Sequence, residues 1–443
     1  MSARLIRVFK AILPAPFTIA VVLTLVTLAL AYTLSPKQES PLSLLAYWEK
    51  GLWNPPLLVF AVQMMLMLVL GHVLALTKTI SHWIDKATQF CGNTAQAAAW
   101  VTLLTLLVSF FNWGLGLVFG AIFARKVGEH ATKNKIPLNY PLIGAAGYSG
   151  LMVWHGGISG SAPIKIAEKG HFLEQQMGVI SQSDTIFSTM NISVSLVLLI
   201  ALPCLMYVLG KKGNDKILNL SPVPPNDEVT KVEGAERLDH SKIAAISSGG
   251  TILIYCLYKA FILPETLSLS FITPNFINLF LLGLAILLHG TFSHFLKGVN
   301  QAIGGASGIL IQFPLYFGIM GIMNSSGLVG VFSDFFVSVS NSTTFPLFTF
   351  ISAGIVNVFV PSGGGQWGVQ GPIIVEAASQ LNVPYWKAVM ALAYGDQLTN
   401  MLQPFWALPL LGITGLKAKE ILPYSLILLL VGGSIFVIGL LVF

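Results

Sequence analysis

The apolar positions of this chain come in long unbroken runs, not in strict alternation. One helical crossing of a bilayer takes about 20 apolar residues. Runs of about that length stand clear at 17–34, 57–77, 185–210, 243–263, 274–290, 302–323 and 423–443. Two more, 138–163 and 386–410, are long enough but are interrupted by Gly, Pro and polar residues. The runs 97–124 and 344–381 are too polar and Gly-rich in their middles to cross as ordinary helices. The stretch 211–242 is rich in charged residues, carries Pro222, Pro224 and Pro225, and reads as a water-exposed loop between two halves.

Charge placement decides which irregular runs cross. Cytoplasmic loops collect Lys and Arg, so Arg4, Arg7 and Lys10 put the N-terminus inside. Two crossings return the chain to that side at Lys78 and Lys86. Were 97–124 a crossing, Arg125, Lys126, Lys133 and Lys135 would lie outside. A re-entrant hairpin with its tip at 112–116 keeps them inside. The run 138–163 then exits, and 185–210 returns to Lys211, Lys212 and Lys216. The next crossing exits at Pro264-Glu265, and the following one returns near Lys297. After 302–323 exits, a second hairpin over 344–381 dips in from the other face, its tip at Pro361-Ser362-Gly363-Gly364-Gly365. Finally 386–410 enters towards Lys417 and Lys419. The expected fold is an all-α integral membrane protein with about nine transmembrane helices, two re-entrant hairpins and broken helices.

Composition points the same way. Charged residues make up 9% of the chain and apolar ones 54%, with a mean hydropathy of +0.77. Soluble domains carry about 25% charge, so the bilayer is the natural solvent. The net charge of +6 sits in short stretches between apolar runs. It forms no basic patch of the kind that binds nucleic acid. The three cysteines show no disulfide or zinc spacing. The basic N-terminus followed by an apolar run of spanning length reads as a first membrane helix, not a signal peptide.

The interrupted runs resemble one another. Laid over each other at a common offset, Tyr148 meets Tyr394, Pro163 meets Pro409 and Ala145 meets Ala391. Upstream, Asn112 falls against Asn357 to within one residue. Each half then reads as two spans, a hairpin, a broken span and a span. An extra span at 243–263 makes the halves start on opposite sides, which is an inverted repeat. The expected divisions are 1–210 for the first repeat, 211–242 for a cytoplasmic loop, 243–263 for a connecting helix and 264–443 for the second repeat.

Bare backbone is tolerated in a membrane only where it lines a cavity or is buried in protein. Paired breaks in two halves point to a solute site. The breaks here are 112–116, 155–163, 361–371 and 396–404. Half-helix N-termini carry partial positive charge and favour an anion. A single glycine in such a place is as well explained by close helix packing. Three in a row, Gly363 to Gly365, flanked by Gln366, Trp367 and Gln370, argue for backbone N–H groups turned to a ligand. Ionisable residues away from span ends are His72, His155, Glu376 and Asp396, with Lys259 near an end. No Lys or Arg is expected mid-membrane in the broken elements, so a carboxylate would be held by N–H groups, hydroxyls and amides. Asp396 has two readings, a packing residue of an interrupted helix or the carrier of a proton or Na⁺. His155 opens a break and shares that ambiguity. Gly147-Tyr148-Ser149-Gly150 and Gly157-Ile158-Ser159-Gly160 resemble the serine motif of rhomboid-type intramembrane proteases, with His289 as the needed base. The repeat explains those residues better.

The stretches FFNWGLGLVFGAIFAR (110–125), VNVFVPSGGGQWGVQGP (356–372) and YGDQLTNMLQPFWALP (394–409) resemble the short-chain fatty acid transporters associated with acetoacetate and butyrate use in bacteria. The likeness runs nearly end to end. That family is grouped with the ion-transporter superfamily, so the resemblance implies hairpins and broken helices in inverted repeats, a bacterial inner membrane and a homodimer by analogy. It implies a first solute subsite of Asn112, Trp113 and Gly114 with Ser159 and Ser161. The second is Ser362, Gly363, Gly364, Gly365 and Gln366 with Asn400 and Gln403. No cofactor is implied beyond H⁺ or Na⁺ as the coupling ion, and no metal site is assigned. The tips depart from the Ser-Asn-Thr type of the superfamily's dicarboxylate carriers. Trp113 and Trp367 would give the site an apolar wall suited to a short acyl tail, and the change puts Na⁺ coupling in question. The expectation is a secondary carrier of short-chain carboxylates, with another small anion such as a dicarboxylate as the alternative.

Overall fold

A computed structural model of the chain describes residues 16–212, 215–220, 234–264, 269, 271–360 and 362–443. Arg4, Arg7, Lys10, the prolines at 222–225, Glu265 and Pro361 lie outside the described residues. The first half contains α1 (Pro16–Leu34), α2 (Pro41–Leu52), α3 (Pro55–Ala75), α4 (Lys78–Thr88), α5 (Thr94–Phe111), α6 (Trp113–Lys133), α7 (Tyr140–Tyr148), α8 (Ser161–Ile166), α9 (Glu174–Met177) and α10 (Thr189–Lys211). The helix α11 (Lys242–Phe261) leads into the second half. That half contains α12 (Pro274–His289), α13 (Phe292–Ala302), α14 (Ser307–Ser326), α15 (Leu328–Val339) and α16 (Phe345–Phe359). It ends with α17 (Gly363–Gln380), α18 (Tyr385–Asn400), α19 (Pro404–Thr414) and α20 (Ala418–Val442). The only bridge outside helices among the described residues pairs Leu138 with Lys216.

Local chemistry sets the ends. Ser40, Asn54, Thr77, Asn93 and Asn139 cap the helices that follow them through their side-chain oxygens. Gly290, Gly327 and Gly415 take the left-handed conformation and stop α12, α14 and α19. Seven described helical segments are long and apolar enough to cross a membrane: Phe17–Leu34, Pro55–Ala75, Thr94–Phe111, Thr189–Lys211, Lys242–Phe261, Phe292–Ser326 and Ala418–Val442. The expected span 274–290 is α12, with 16 residues, short for a crossing on its own. By length alone α5 qualifies as a span, yet it folds back. Ser109 packs on Gly116 and Thr105 on Gly120, so α5 and α6 run antiparallel as the arms of one helical hairpin.

The structure adds four short helices that the long-run reading passed over: α2, α4, α13 and α15, each of 11 or 12 residues. Each follows a long apolar helix, α1, α3, α12 and α14 respectively. The order long helix, short helix, long helix, short helix, hairpin, broken helix therefore recurs in both halves. In one packed group α14 lies against α1, α2 and α3, while α12 lies against α3, α11 and α13. In the other, α5 packs on α10 and α7, and α16 on α18. The second arms of the hairpins face the first group, α6 against α3 and α17 against α14 and α15.

The breaks are placed differently from expectation. At the first hairpin only Asn112 leaves the helix; Trp113 already begins α6. Gly114 and Gly116 are inside α6, where they admit the backbone of Leu68 and the side chain of Ser109. Their role is close packing, not N–H presentation. At the second hairpin α17 starts at Gly363 with Ser362 as its cap. The capping residues that correspond are thus Asn112 and Ser362. Asn357 lies earlier, on α16, so its match to Asn112 is one of residue type only. The first broken helix unwinds earlier than expected, through 3₁₀ turns at Ser149–Met152 and Trp154–Gly156, and restarts at Ser161. The second stays helical through Asp396 to Asn400, and its break is confined to 401–403. Pro404 sets that restart, because proline lacks the N–H that a continuous helix needs.

Close backbone contact makes one packing test sharp. A methyl group at Gly120 would strike the carbonyl of Gly147, and one at Gly147 would strike the carbonyl of Gly120. Gly120→Ala and Gly147→Ala should each destabilise the fold by about 1–3 kcal/mol through overpacking. At Gly250 of α11 nothing lies within 4 Å of an added methyl, so Gly250→Ala should be neutral or slightly stabilising. Thermal unfolding of the detergent-purified proteins distinguishes the two classes.

Candidate functional site

The two hairpin tips and the two breaks converge. Asn112 caps α6 by accepting from the Leu115 N–H at 2.7 Å, and its Nδ2 donates to the Met67 carbonyl of α3 at 3.4 Å. The Trp113 N–H donates to Ser159 Oγ at 3.0 Å, which fastens the first tip to the first break. The Ile158 N–H donates to the Phe110 carbonyl at 2.8 Å and completes that junction. The Trp113 ring stands 5.5 Å from Trp154 and, edge-on, 5.5 Å from Trp406 of α19. The first tip therefore touches both broken helices.

The second tip does the same. Gly363 is the first residue of α17, and a methyl group there would collide with the His155 ring and lie 2.9 Å from Asp396 Oδ2. His155 Nε2 and Asp396 Oδ2 are 2.5 Å apart, and both side chains are fully buried. The contact is a close approach of opposite polar groups without hydrogen-bond alignment. Neither ring nitrogen and neither carboxylate oxygen has a directed hydrogen-bond partner among the described residues. The pair stands at the N-terminal end of α17, where helix N–H groups carry partial positive charge. The structure thus joins the two residues singled out for coupling, one from each broken helix.

Each break is braced by the opposite half. The Tyr148 hydroxyl donates towards the carbonyls of Asn400 and Gln403, at 2.7 and 3.1 Å, in the second break. The His155 N–H donates to Gln397 Oε1 at 2.9 Å. Asn191 Nδ2 donates to the Gly156 carbonyl at 2.9 Å, and Asn191 Oδ1 accepts from the Tyr394 hydroxyl at 2.9 Å. The two tyrosines matched in the sequence both bond across the halves, Tyr148 to backbone carbonyls at the second break and Tyr394 to the Asn191 side chain that holds the first.

Several expected solute contacts are committed to structure. Ser362 Oγ accepts from the Gly365 N–H. Gln366 Nε2 donates to the Ala353 carbonyl and to Gln370 Oε1. Asn357 Nδ2 donates to Asn400 Oδ1 at 2.7 Å, and Gln403 Nε2 donates to the Asn357 carbonyl at 2.5 Å. Gly364 packs on Phe313 and Phe60, and Gly365 on Tyr316. Ser161 is buried as the first residue of α8. Trp367 is not at the tip. It lies in the second turn of α17, fully buried, its ring 6.3 Å from Phe172. The indole rings gathered at the first tip are those of Trp113, Trp154 and Trp406. The indole N–H groups of Trp113 and Trp154 and the Asn400 Nδ2 are buried without a hydrogen-bond partner among the described residues. They are donors of the kind a carboxylate accepts from.

The expected absence of a cation in the broken elements is corrected by Lys165. It lies on α8, 3% exposed. Its Nζ is 2.6 Å from Glu168 Oε2, 3.3 Å from Gln63 Oε1 and 5.4 Å from the centre of the Phe60 ring. Glu168 also accepts from Gln63 and Asn275. The Lys-x-x-Glu spacing just after Pro163 was the signal in the sequence. His72 is only partly buried on α3, and Glu376 is exposed near the end of α17. The protease reading has no geometry behind it. The Ser149 hydroxyl donates to its own helix at Ala146, and His289 Nε2 is spent on the Val73 carbonyl.

Paired hairpins meeting paired broken helices, in a chain of membrane-spanning helices, define a multi-span membrane transporter and not an enzyme. The family model for the short chain fatty acid transporter matches residues 1–443, and this chain belongs to that family. A protein of Escherichia coli K12 named "Putative short-chain fatty acid transporter" is 38% identical over 97% of this chain and 96% of its own. One of the same name from Haemophilus influenzae Rd is 36% identical over the same shares. Among solved structures, the YdaH transporter of Alcanivorax borkumensis, described as having an unusual topology, superposes with a TM-score of 0.58 at 14% identity. That match covers 96% of this chain and 98% of that one. MtrF of Neisseria gonorrhoeae, described as illuminating a class of antimetabolite efflux pumps, gives 0.56 at 14% identity, covering 97% and 96%. These two likenesses concern the fold alone.

The bracing of the second break can be tested at one atom. Tyr148→Phe removes the hydroxyl and leaves two buried carbonyls without that donor, at a cost of about 1–3 kcal/mol. Its unfolding midpoint should fall while that of Tyr255→Phe, at an exposed site on α11, stays at the parent value. Glu168→Gln should likewise cost about 3 kcal/mol by stranding the buried Lys165 charge. A midpoint equal to the parent's would show that the lysine is not held by that carboxylate.

Proposed function

We propose that this chain is a secondary carrier of short-chain monocarboxylates of acetoacetate or butyrate size, working in the bacterial inner membrane with its N-terminus cytoplasmic, and driven by protons. The observation that carries the reading is the buried His155–Asp396 contact beneath the first residue of α17. An imidazole and a carboxylate can each take up a proton, and protonation of either changes the net charge next to the helix N-terminus. The helix N–H groups and the indole N–H groups of Trp113 and Trp154 favour the solute carboxylate. The rings of Trp113, Trp154 and Trp406 favour a short acyl tail. Na⁺ coupling is less favoured, because the carbonyls of the second break already accept from Tyr148. The recurring element order supports two repeats of inverted topology. The hairpins and broken helices are taken to shift together against the group around α3 and α14.

A dicarboxylate remains the second reading, and Lys165 is what favours it. A second carboxylate group could replace Glu168 at that ammonium group. A competition panel against labelled butyrate uptake separates the two, with monocarboxylates expected to compete and dicarboxylates not.

Vesicles containing the purified protein should take up labelled butyrate or acetoacetate under an imposed proton gradient and not under a Na⁺ gradient alone. Failure under every gradient would sink the proposal, and Na⁺-driven uptake would reassign the ion. Asp396→Asn should abolish gradient-driven accumulation while sparing solute exchange across the vesicle wall. Accumulation at the parent rate would reduce Asp396 to a packing residue.

A further inference from the structure

Away from the hairpin tips, a cavity of about 460 Å³ opens at one end of the helices, between α3, α4, α11, α12 and α13. Lys78, Lys242, Lys297, His289 and His294 line it, and no acidic residue does among the described residues. None of the three lysines forms an ion pair among the described residues. Three helices also begin there. Lys78 is the first residue of α4, Lys242 the first of α11, and Thr291 caps α13. Each start brings N–H groups and partial positive charge to the same space. The His294 ring is held by its Nδ1 against Thr291 Oγ1 at 2.8 Å. His289 is fixed through Nε2 to the Val73 carbonyl.

Three lysines gathered without counter-charge repel one another, and three helix starts add to that field. An anion bearing several oxygens relieves both at once, and phosphate is that chemistry. The surroundings choose its source. Ile243 and Ile246 of α11, Leu296 of α13 and Ile303 just after it are each more than half exposed. They place apolar surface beside the basic cavity, as a headgroup with acyl chains requires. Basic pockets between membrane helices at a surface suit anionic headgroups. The geometry points to a structural site for the phosphate headgroup of an anionic phospholipid, bound between α4, α11 and α13 and separate from the solute path. It draws together two short surface helices and the helix that joins the two halves.

The test uses the whole detergent-purified protein. Phosphatidylglycerol should raise the unfolding midpoint and stay bound in native mass spectra, while phosphatidylcholine should do neither. Each of Lys78→Gln, Lys242→Gln and Lys297→Gln should weaken retention about fivefold, as expected for one basic residue near an anionic surface. The triple variant should lose about a hundredfold. If the triple variant fails to fold, the single variants decide alone. Equal retention of both lipids, or single variants that hold phosphatidylglycerol as the parent does, would overturn the site. Inorganic phosphate should give no protection at millimolar concentration. Protection by it equal to that of the lipid would overturn the lipid assignment.

Discussion

Unwinding a helix inside an apolar bundle leaves carbonyl and amide groups that no solvent can satisfy, and each break in this chain is held partly by its own half and partly by the other. Tyr148 of the first broken helix reaches the carbonyls of Asn400 and Gln403 in the second. Gln397 of the second accepts from the His155 N–H of the first. Tyr394 acts through Asn191 on the carbonyl of Gly156. The hairpins follow from this requirement, because Phe110 and Asn357, at or near the ends of their first arms, supply the remaining partners.

The same arrangement explains why the titratable groups are where they are. A lone buried carboxylate or imidazole would be driven neutral by desolvation. His155 and Asp396 come from different halves and meet only because the breaks are braced together. Gly363 then becomes a requirement of space as much as of backbone freedom, since any side chain there would displace the pair. Lys165 follows the same rule by another route. Its charge is taken up by Glu168, Gln63 and the face of Phe60 instead of by a partner in the opposite break.

How much of this could be read beforehand depends on what each residue declares by itself. Gly and Pro declare breaks, so both hairpins and both broken helices were legible, with their tips within a few residues. Apolar length declares spans, and α1, α3, α10, α11, α14 and α20 fell where the runs did. A helix too short to cross declares neither, which hid α2, α4, α13 and α15. Residue type also misleads when a role moves. Asn112 caps a hairpin, and its apparent counterpart Asn357 ties α16 to α18 while Ser362 does the capping. Trp367 sits beside a tip in sequence, but a full turn of helix carries its ring away to Phe172. Asp396 was readable as unusual, but its contact with His155 was not, because nothing local relates residues so far apart along the chain.

The distribution of directed bonds bears on how such a molecule can move. Within the set of hairpins and broken helices, the carbonyls and amides of the breaks are held by hydrogen bonds from several elements at once. Pulling the broken helices apart would strand buried groups on both, at a cost of about 1–3 kcal/mol for each. Against the group around α3 and α14 the contacts are of another kind. Gly364 lies on Phe313 and Phe60, Gly365 on Tyr316, and Gly114 on the Leu68 backbone. Gly364 and Gly365 meet aromatic rings, contacts that lose little direction when displaced. The directed bonds across that boundary are Asn112 to Met67 at 3.4 Å, Lys126 of α6 to Ser81 and Asp85 of α4, and the polar group around Gln63 and Lys165. A displacement of the braced set as one body would leave the bonds between the two breaks unbroken and would carry the His155–Asp396 pair intact.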